Sequence, residues 1–91
     1  MRFCLEVGEV ERHLIEFDSN HLLGRLQIKV NKKEVKRSAR LFNEPLNETH
    51  SFNVGETERL VVRIEKERKM LFGNKCRVFL NDRLYKCYEG V

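Results

Sequence analysis

The sequence predicts an all-β protein: a single domain over residues 1–91, folded as a small antiparallel β-sandwich or flattened barrel of seven to eight strands. Three observations carry that expectation. Short runs alternate apolar and polar residues with the period of a half-buried strand. One phrase occurs twice, Val30-Asn31-Lys32-Lys33 and Leu80-Asn81-Asp82-Arg83, in which a strand-like run meets Asn, a polar residue and a cation. Asn tolerates positive φ, so Asn-X between alternating runs marks a tight hairpin turn. Gly8, Gly55, Gly73 and Pro45 punctuate the remaining runs, which points to hairpins rather than βαβ units.

The elements follow in order. Phe3, Leu5 and Val7 alternate with Cys4 and Glu6, and Gly8 closes the strand. Arg12–Phe17 alternates again, ending in the turn chemistry of Asp18-Ser19-Asn20. Leu22, Gly24, Leu26, Ile28 and Val30 share one face, and Leu23, Arg25, Gln27 and Lys29 the other. A two-residue Asn31-Lys32 loop pairs Val30 with Lys33, and counting on pairs Ile28 with Val35 and Gly24 with Ala39. Asn43–Asn47 reads as a loop. His50, Phe52 and Val54 form a strand ending at Gly55. Leu60, Val62 and Ile64 mark another, reaching about Glu67, with a short helix over Glu65–Leu71 as the alternative; β-branched Val61, Val62 and Ile64 favour the strand. Cys76–Leu80 and Leu84–Tyr88 make the last hairpin. The core expected from this pattern is Phe3, Leu5, Ile15, Phe17, Leu26, Ile28, Val35, Phe52, Val54, Leu60, Val62, Ile64, Val78 and Leu80. The repeated Asn phrase reads as a local echo, not as a large-scale repeat.

Composition narrows the function classes. A chain of 91 residues buries a modest core and has little volume for a deep reactive cavity. No apolar run approaches the ~18 residues of a membrane span, and charges interrupt the region after Met1 where a signal peptide would need its apolar stretch. The expectation is a cytoplasmic protein with no membrane partner. Three cysteines, an odd number, suit a reducing compartment better than a disulfide framework. A net charge of +4 permits attraction to acidic partners without demanding it.

Few residues offer chemistry. With a two-residue Asn81-Asp82 turn, strict counting sets Cys76 opposite Cys87, where a strained disulfide or a shared metal is conceivable. No Cys-x-x-Cys or His-x-x-x-His completes a zinc set, so two reduced packing thiols are the plainer reading, and no cofactor or metal is expected. His13, His21 and His50 are scattered, and the carboxylates of Glu56, Glu58, Glu65 and Glu67 are interleaved with Arg59, Arg63, Lys66 and Arg68, as on a solvated strand face. Arg59 and Arg63 bracket the apolar Leu60-Val61-Val62 segment as gatekeepers against aggregation. No phosphate-binding glycine loop occurs. The better lead is basic: counting from the first turn puts Arg25, Lys29, Lys36 and Arg40 on one outer face, with Lys32 and Lys33 at the hairpin tip. These six residues are the candidate anion-binding set, although few aromatic residues accompany them for stacking on bases.

In order and spacing, several stretches resemble the Fas apoptotic inhibitory molecule family. They are His13-Leu14-Ile15-Glu16-Phe17, Gly24 leading into Ile28–Val35, Ser51-Phe52-Asn53-Val54-Gly55, Val62-Arg63-Ile64-Glu65 and Phe79-Leu80-Asn81-Asp82-Arg83-Leu84. The chain departs from the family where Asn-Lys and Asn-Asp replace Asp-Gly or Asn-Gly turns, and it has no tryptophan. The resemblance implies a compact antiparallel β-sandwich without enzymatic activity. Its members act through protein contacts, in death-receptor signalling and protection against protein aggregation, and no catalytic residue transfers. The function expected is a non-enzymatic protein-interaction module, with an unidentified protein partner and a homodimer formed by edge-strand pairing. Nucleic-acid or polyanion binding through the basic hairpin is the second candidate, and a redox or metal role for Cys76 and Cys87 the third.

Overall fold

The computed structural model describes residues 1–20, 25–39, 47–68 and 73–90. These residues form β1 (Arg2–Val7), β2 (His13–Asn20), β3 (Arg25–Val30), β4 (Lys33–Ala39), β5 (Asn47–Val54), β6 (Leu60–Arg68), β7 (Asn74–Leu80) and β8 (Arg83–Gly90). The protein is all-β, and no helix occurs among the described residues. The chain divides into two compact units, Met1–Glu44 and Pro45–Val91. Each holds one four-stranded antiparallel sheet in sequence order, β1-β2-β3-β4 and β5-β6-β7-β8. Neither sheet closes on itself, so each has two edge strands.

Both hairpin turns have the geometry that Asn-X implied. Asn31 and Lys32 take φ of 51° and 71°, and Asn81 and Asp82 take 49° and 66°. Positive φ at both central residues is the type I′ turn, whose twist matches that of the flanking strands. Each Asn also holds the strand beyond the hairpin. The Leu14 N–H donates to Asn31 Oδ1 at 2.9 Å, and the Asn31 N–H donates to the Leu14 carbonyl at 2.8 Å. In the second unit the Val61 N–H donates to Asn81 Oδ1 at 2.9 Å, and the Asn81 N–H donates to the Val61 carbonyl at 2.9 Å.

The echo therefore extends far beyond the turn. Gly8 and Gly55 both end their unit's first strand with positive φ, 97° and 92°. Both third-to-fourth-strand ladders start at the expected pair, Val30 with Lys33 and Leu80 with Arg83. Both then slip by one residue, between Ile28 and Lys29 in one and between Val78 and Phe79 in the other. The two units are one structural motif used twice, a repeat that the sequence reading took for a local echo.

The slips are β-bulges, and they correct the register counted from the turns. Ile28 pairs with Lys36, not Val35, and Arg25 rather than Gly24 pairs with Ala39. Val35 becomes the extra residue and is 43% exposed instead of in the core. The Asp18-Ser19-Asn20 segment is strand, not turn. Ser19 pairs with Leu26, its N–H donates to the Met1 carbonyl at 2.7 Å, and it is buried. Strand β6 runs through Arg68, so Glu65–Arg68 is not helical, and residues 69–71 lie outside the described set.

Burial follows the alternation. In the first unit Phe3, Leu5, Val7, Ile15, Phe17, Leu26 and Ile28 are buried, with Phe3 stacked on Phe17 at 4.8 Å between ring centroids. In the second, Val54, Val62, Ile64, Cys76 and Val78 are buried. Phe52, Leu60 and Leu80 are only half-buried, Val7 joins the core from outside the expected set, and of the three thiols read as packing residues Cys76 is buried while Cys4 and Cys87 are exposed.

Candidate interaction edge of the second sheet

The bulge at Tyr85 decides the cysteine chemistry. Cys76 pairs with Tyr88, and Cys87 with Arg77, so the two thiols point to opposite faces of the sheet. This overturns the counted Cys76–Cys87 pair. Cys76 is buried, Cys4 and Cys87 are exposed, and all three are free thiols. Burial pushes the Cys76 thiol up to about 11 from 9.0, against the opposing pull of the Lys66 ammonium. A thiol held neutral in this way is a poor nucleophile and a poor metal ligand. No group of three or more metal-ligating side chains occurs among the described residues.

The basic set is divided by the matching bulge in the first unit. Lys29 pairs with Glu16 on one side and Glu34 on the other. The Lys32 ammonium lies 3.2 Å from the same Glu16. Arg25, Lys33 and Lys36 are exposed, but Lys36 now lies on the side of the sheet that carries Ile28 rather than beside Lys29. Arg40 lies outside the described residues. What was counted as one stripe of like charge is a mixed row on one face and a cation on the other.

The equivalent row of the second unit is different in kind. In the first sheet the outer row reads Cys4, Glu16, Lys29, Glu34. In the second it reads Ser51, Arg63, Phe79, Leu84. Where the first unit has a lysine between two glutamates, the second has an aromatic ring beside a leucine. The Arg63 guanidinium lies over the Phe79 ring, 4.3 Å from its centroid. It is also paired with Glu65 at 3.2 Å and with Asp82 of the turn. The outer ion pair is thus kept with its signs exchanged: Glu16 with Lys32 in one unit, Arg63 with Asp82 in the other.

Leu84 is 60% exposed, Val61 48% and Tyr85 43%. Leu84 and Tyr85 belong to β8, an edge strand exposed along most of its length. The edge β1, by contrast, buries every second residue. Exposed apolar side chains on an edge strand make a surface suited to another chain. The sequence reading did not draw this patch together, although counting from the Asn81-Asp82 turn already sets Leu84 opposite Phe79; only Tyr85 is moved by the bulge. Val61 did stand out there, as an aggregation hazard held between Arg59 and Arg63.

On the buried side of the same sheet, Glu48, Lys66, Cys76 and Tyr88 form one cross-strand row. Lys66 is almost fully buried, and His50 Nε2 lies 3.3 Å from Glu48 Oε2. A lysine enclosed between a carboxylate and a thiol is satisfied in place and packs the sheet interior.

No helix among the described residues is long and apolar enough to cross a membrane. Neither the curated proteins nor the solved structures contain a match to this chain. The family profile described as Fas apoptotic inhibitory molecule (FAIM1) matches residues 5–89, from the first strand to the exposed edge β8, and the chain belongs to that family.

Proposed function

We propose that this protein is a non-enzymatic protein-interaction module that takes up an extended polypeptide segment along β8. The observation that carries the reading is the exposed apolar surface of Leu84, Tyr85 and Val61 on and beside an edge strand. A small domain that exposes large apolar side chains on and beside an edge strand is open to aggregation unless the surface is used. Backbone hydrogen bonds along β8 would supply affinity, and the Leu84–Phe79 surface would select apolar side chains at alternate positions. Arg83 and Lys86 on the same strand favour a segment that alternates acidic with apolar residues.

A fluorescent peptide alternating valine and glutamate tests this directly. Binding followed by anisotropy should be measurable with the wild-type protein and should fall by about tenfold in Leu84→Lys, which loses the ~1–2 kcal/mol of a buried leucine. No binding to the wild type, or equal binding to the variant, would remove β8 from consideration.

Polyanion binding is the second reading, and exposed Arg25, Lys33 and Lys36 favour it. Glu16 and Glu34 beside Lys29 weigh against it. Oligonucleotide affinity that falls steeply with salt and is lost in a Lys33→Glu/Lys36→Glu variant would support it.

A further inference from the structure

We infer that the outer face of the second sheet carries an aromatic-binding subsite over Arg63, which takes a phenylalanine, tyrosine or tryptophan side chain from a polypeptide crossing that face. The subsite does not depend on strand capture along β8. Arg63 is on β6, two strands in from that edge and about 10 Å away from it.

The repeat within the chain supplies the comparison. Leu14, Glu16, Lys29 and Glu34 of the first unit stand where Val61, Arg63, Phe79 and Leu84 stand in the second. Both hairpins dock through the same bonds to their Asn, and the same bulge follows. A row of charges is therefore compatible with the motif, and building it does not require the ring of Phe79 or the aliphatic Leu84. Leu84 and Val61 are nevertheless the two most exposed large apolar side chains described in the second unit.

The chemistry of Arg63 selects the occupant. Its guanidinium lies over the Phe79 ring, 4.3 Å from the centroid. Its Nε is 3.2 Å from Glu65 Oε2, and its Nη1 donates to Asp82 of the turn. Carboxylates thus hold two of its in-plane nitrogens and the ring covers one face, yet the side chain is still 29% exposed. The outward face is a flat, weakly hydrated cation, which stacks well on an aromatic ring. Two carboxylates around one guanidinium repel a phosphate or another acid, so a neutral ring is the complementary partner. Val61 lies two residues before Arg63 on the same face, and Leu84 lies beyond Phe79 in the row, so a ring stacked there meets aliphatic carbon at its edges. An open hollow of about 630 Å³, lined by Val61 together with Asn53 and Arg59, leads the crossing polypeptide on toward the β5–β6 turn.

Short capped peptides titrated into isotope-labelled full-length protein, followed by NMR, test the subsite. Acetyl-Ala-Phe-Ala-amide should move the Arg63 Nε–Hε signal upfield by ring current and shift the Val61 and Leu84 methyl signals. The same peptide with cyclohexylalanine for phenylalanine keeps the size without the π face, and should bind about threefold more weakly. In Arg63→Met, which keeps an apolar stem, that preference should vanish. Leu84→Ser leaves the Arg63 ion pairs in place and should weaken both peptides alike. No shift at these residues, cyclohexylalanine binding the wild type as tightly as phenylalanine, or adenosine monophosphate shifting Arg63 where the phenylalanine peptide does not, overturns the inference. The wild-type comparison decides this even where Arg63→Met fails to fold. The valine–glutamate peptide has no ring, so its binding reports on β8 alone.

Discussion

Replacing Asn81 separates the two jobs done by one turn residue. Its backbone sits at φ 49°, and its side-chain oxygen accepts from the Val61 N–H at 2.9 Å. The hydrogen bond is exposed, so water can take its place, and its loss costs only about 0.5 kcal/mol. The backbone term is larger, since a residue with a Cβ and no side-chain hydrogen bond to offset it pays about 1–2 kcal/mol in the left-handed region. Asn81→Ala should therefore destabilise by about 2 kcal/mol. Asn81→Gly keeps the conformation accessible and should cost about 0.5 kcal/mol, partly from the freer unfolded chain. In a chain of this size the alanine variant should melt roughly 10 °C lower and the glycine variant only a few degrees lower. Thermal and urea unfolding followed by far-UV circular dichroism reads both. Asn31 is held in the same way, with a further contact from its Nδ2 to His13 Nδ1 at 2.9 Å, so Asn31→Ala should cost at least as much as Asn81→Ala. Glycine variants as unstable as the alanine ones would show that the side-chain bond dominates and would refute the reasoning.

Two further outcomes rest on buried geometry. The folded protein keeps the Cys76 proton above pH 9, where an unfolded chain releases it, so this thiol's contribution is complete below pH 9 and is lost as pH rises toward about 11. Urea unfolding at pH 8 and pH 10.5 should show a loss of about 2 kcal/mol from this source that is absent in Cys76→Ala, while a thiol reagent at pH 8 should label Cys4 and Cys87 quickly and Cys76 only after unfolding; equal alkaline slopes would disprove the assignment. Gly73→Ala should destabilise by about 1–2 kcal/mol, because φ is +100° and an added Cβ would lie 3.2 Å from the Gly90 carbonyl oxygen; an unchanged urea midpoint would contradict this.

Much of the fold was legible because two local rules are strong. Alternation located every strand, and Asn in a two-residue loop fixed the first pair of each hairpin, Val30 with Lys33 and Leu80 with Arg83. Two positions further on, the same counting fails in both ladders. A bulge of this kind needs no glycine or other marked residue, so Val35 and Tyr85 look like ordinary members of an alternating strand. Each functional lead drawn from the sequence depended on residues past that point. The basic stripe needed Lys36 beside Lys29, and the thiol pair needed Cys76 opposite Cys87. The apolar edge was open to the same counting, which already sets Leu84 opposite Phe79; only Tyr85 is displaced by the slip. Ser19 shows a second limit: a residue common in turns is held in a strand by pairing with Leu26 and by the Met1 carbonyl.

A motif used twice in one chain invites the wrong halves to meet while folding, because each hairpin tip carries the same asparagine and would fit either receiving strand. The exchanged ion pair sorts them. The Asn31-Lys32 tip docked on β6 would set Lys32 against Arg63, and the Asn81-Asp82 tip docked on β2 would set Asp82 against Glu16. Correct docking joins opposite charges and crossed docking joins like ones, so two surface ion pairs of small individual strength act together as an address label for each tip.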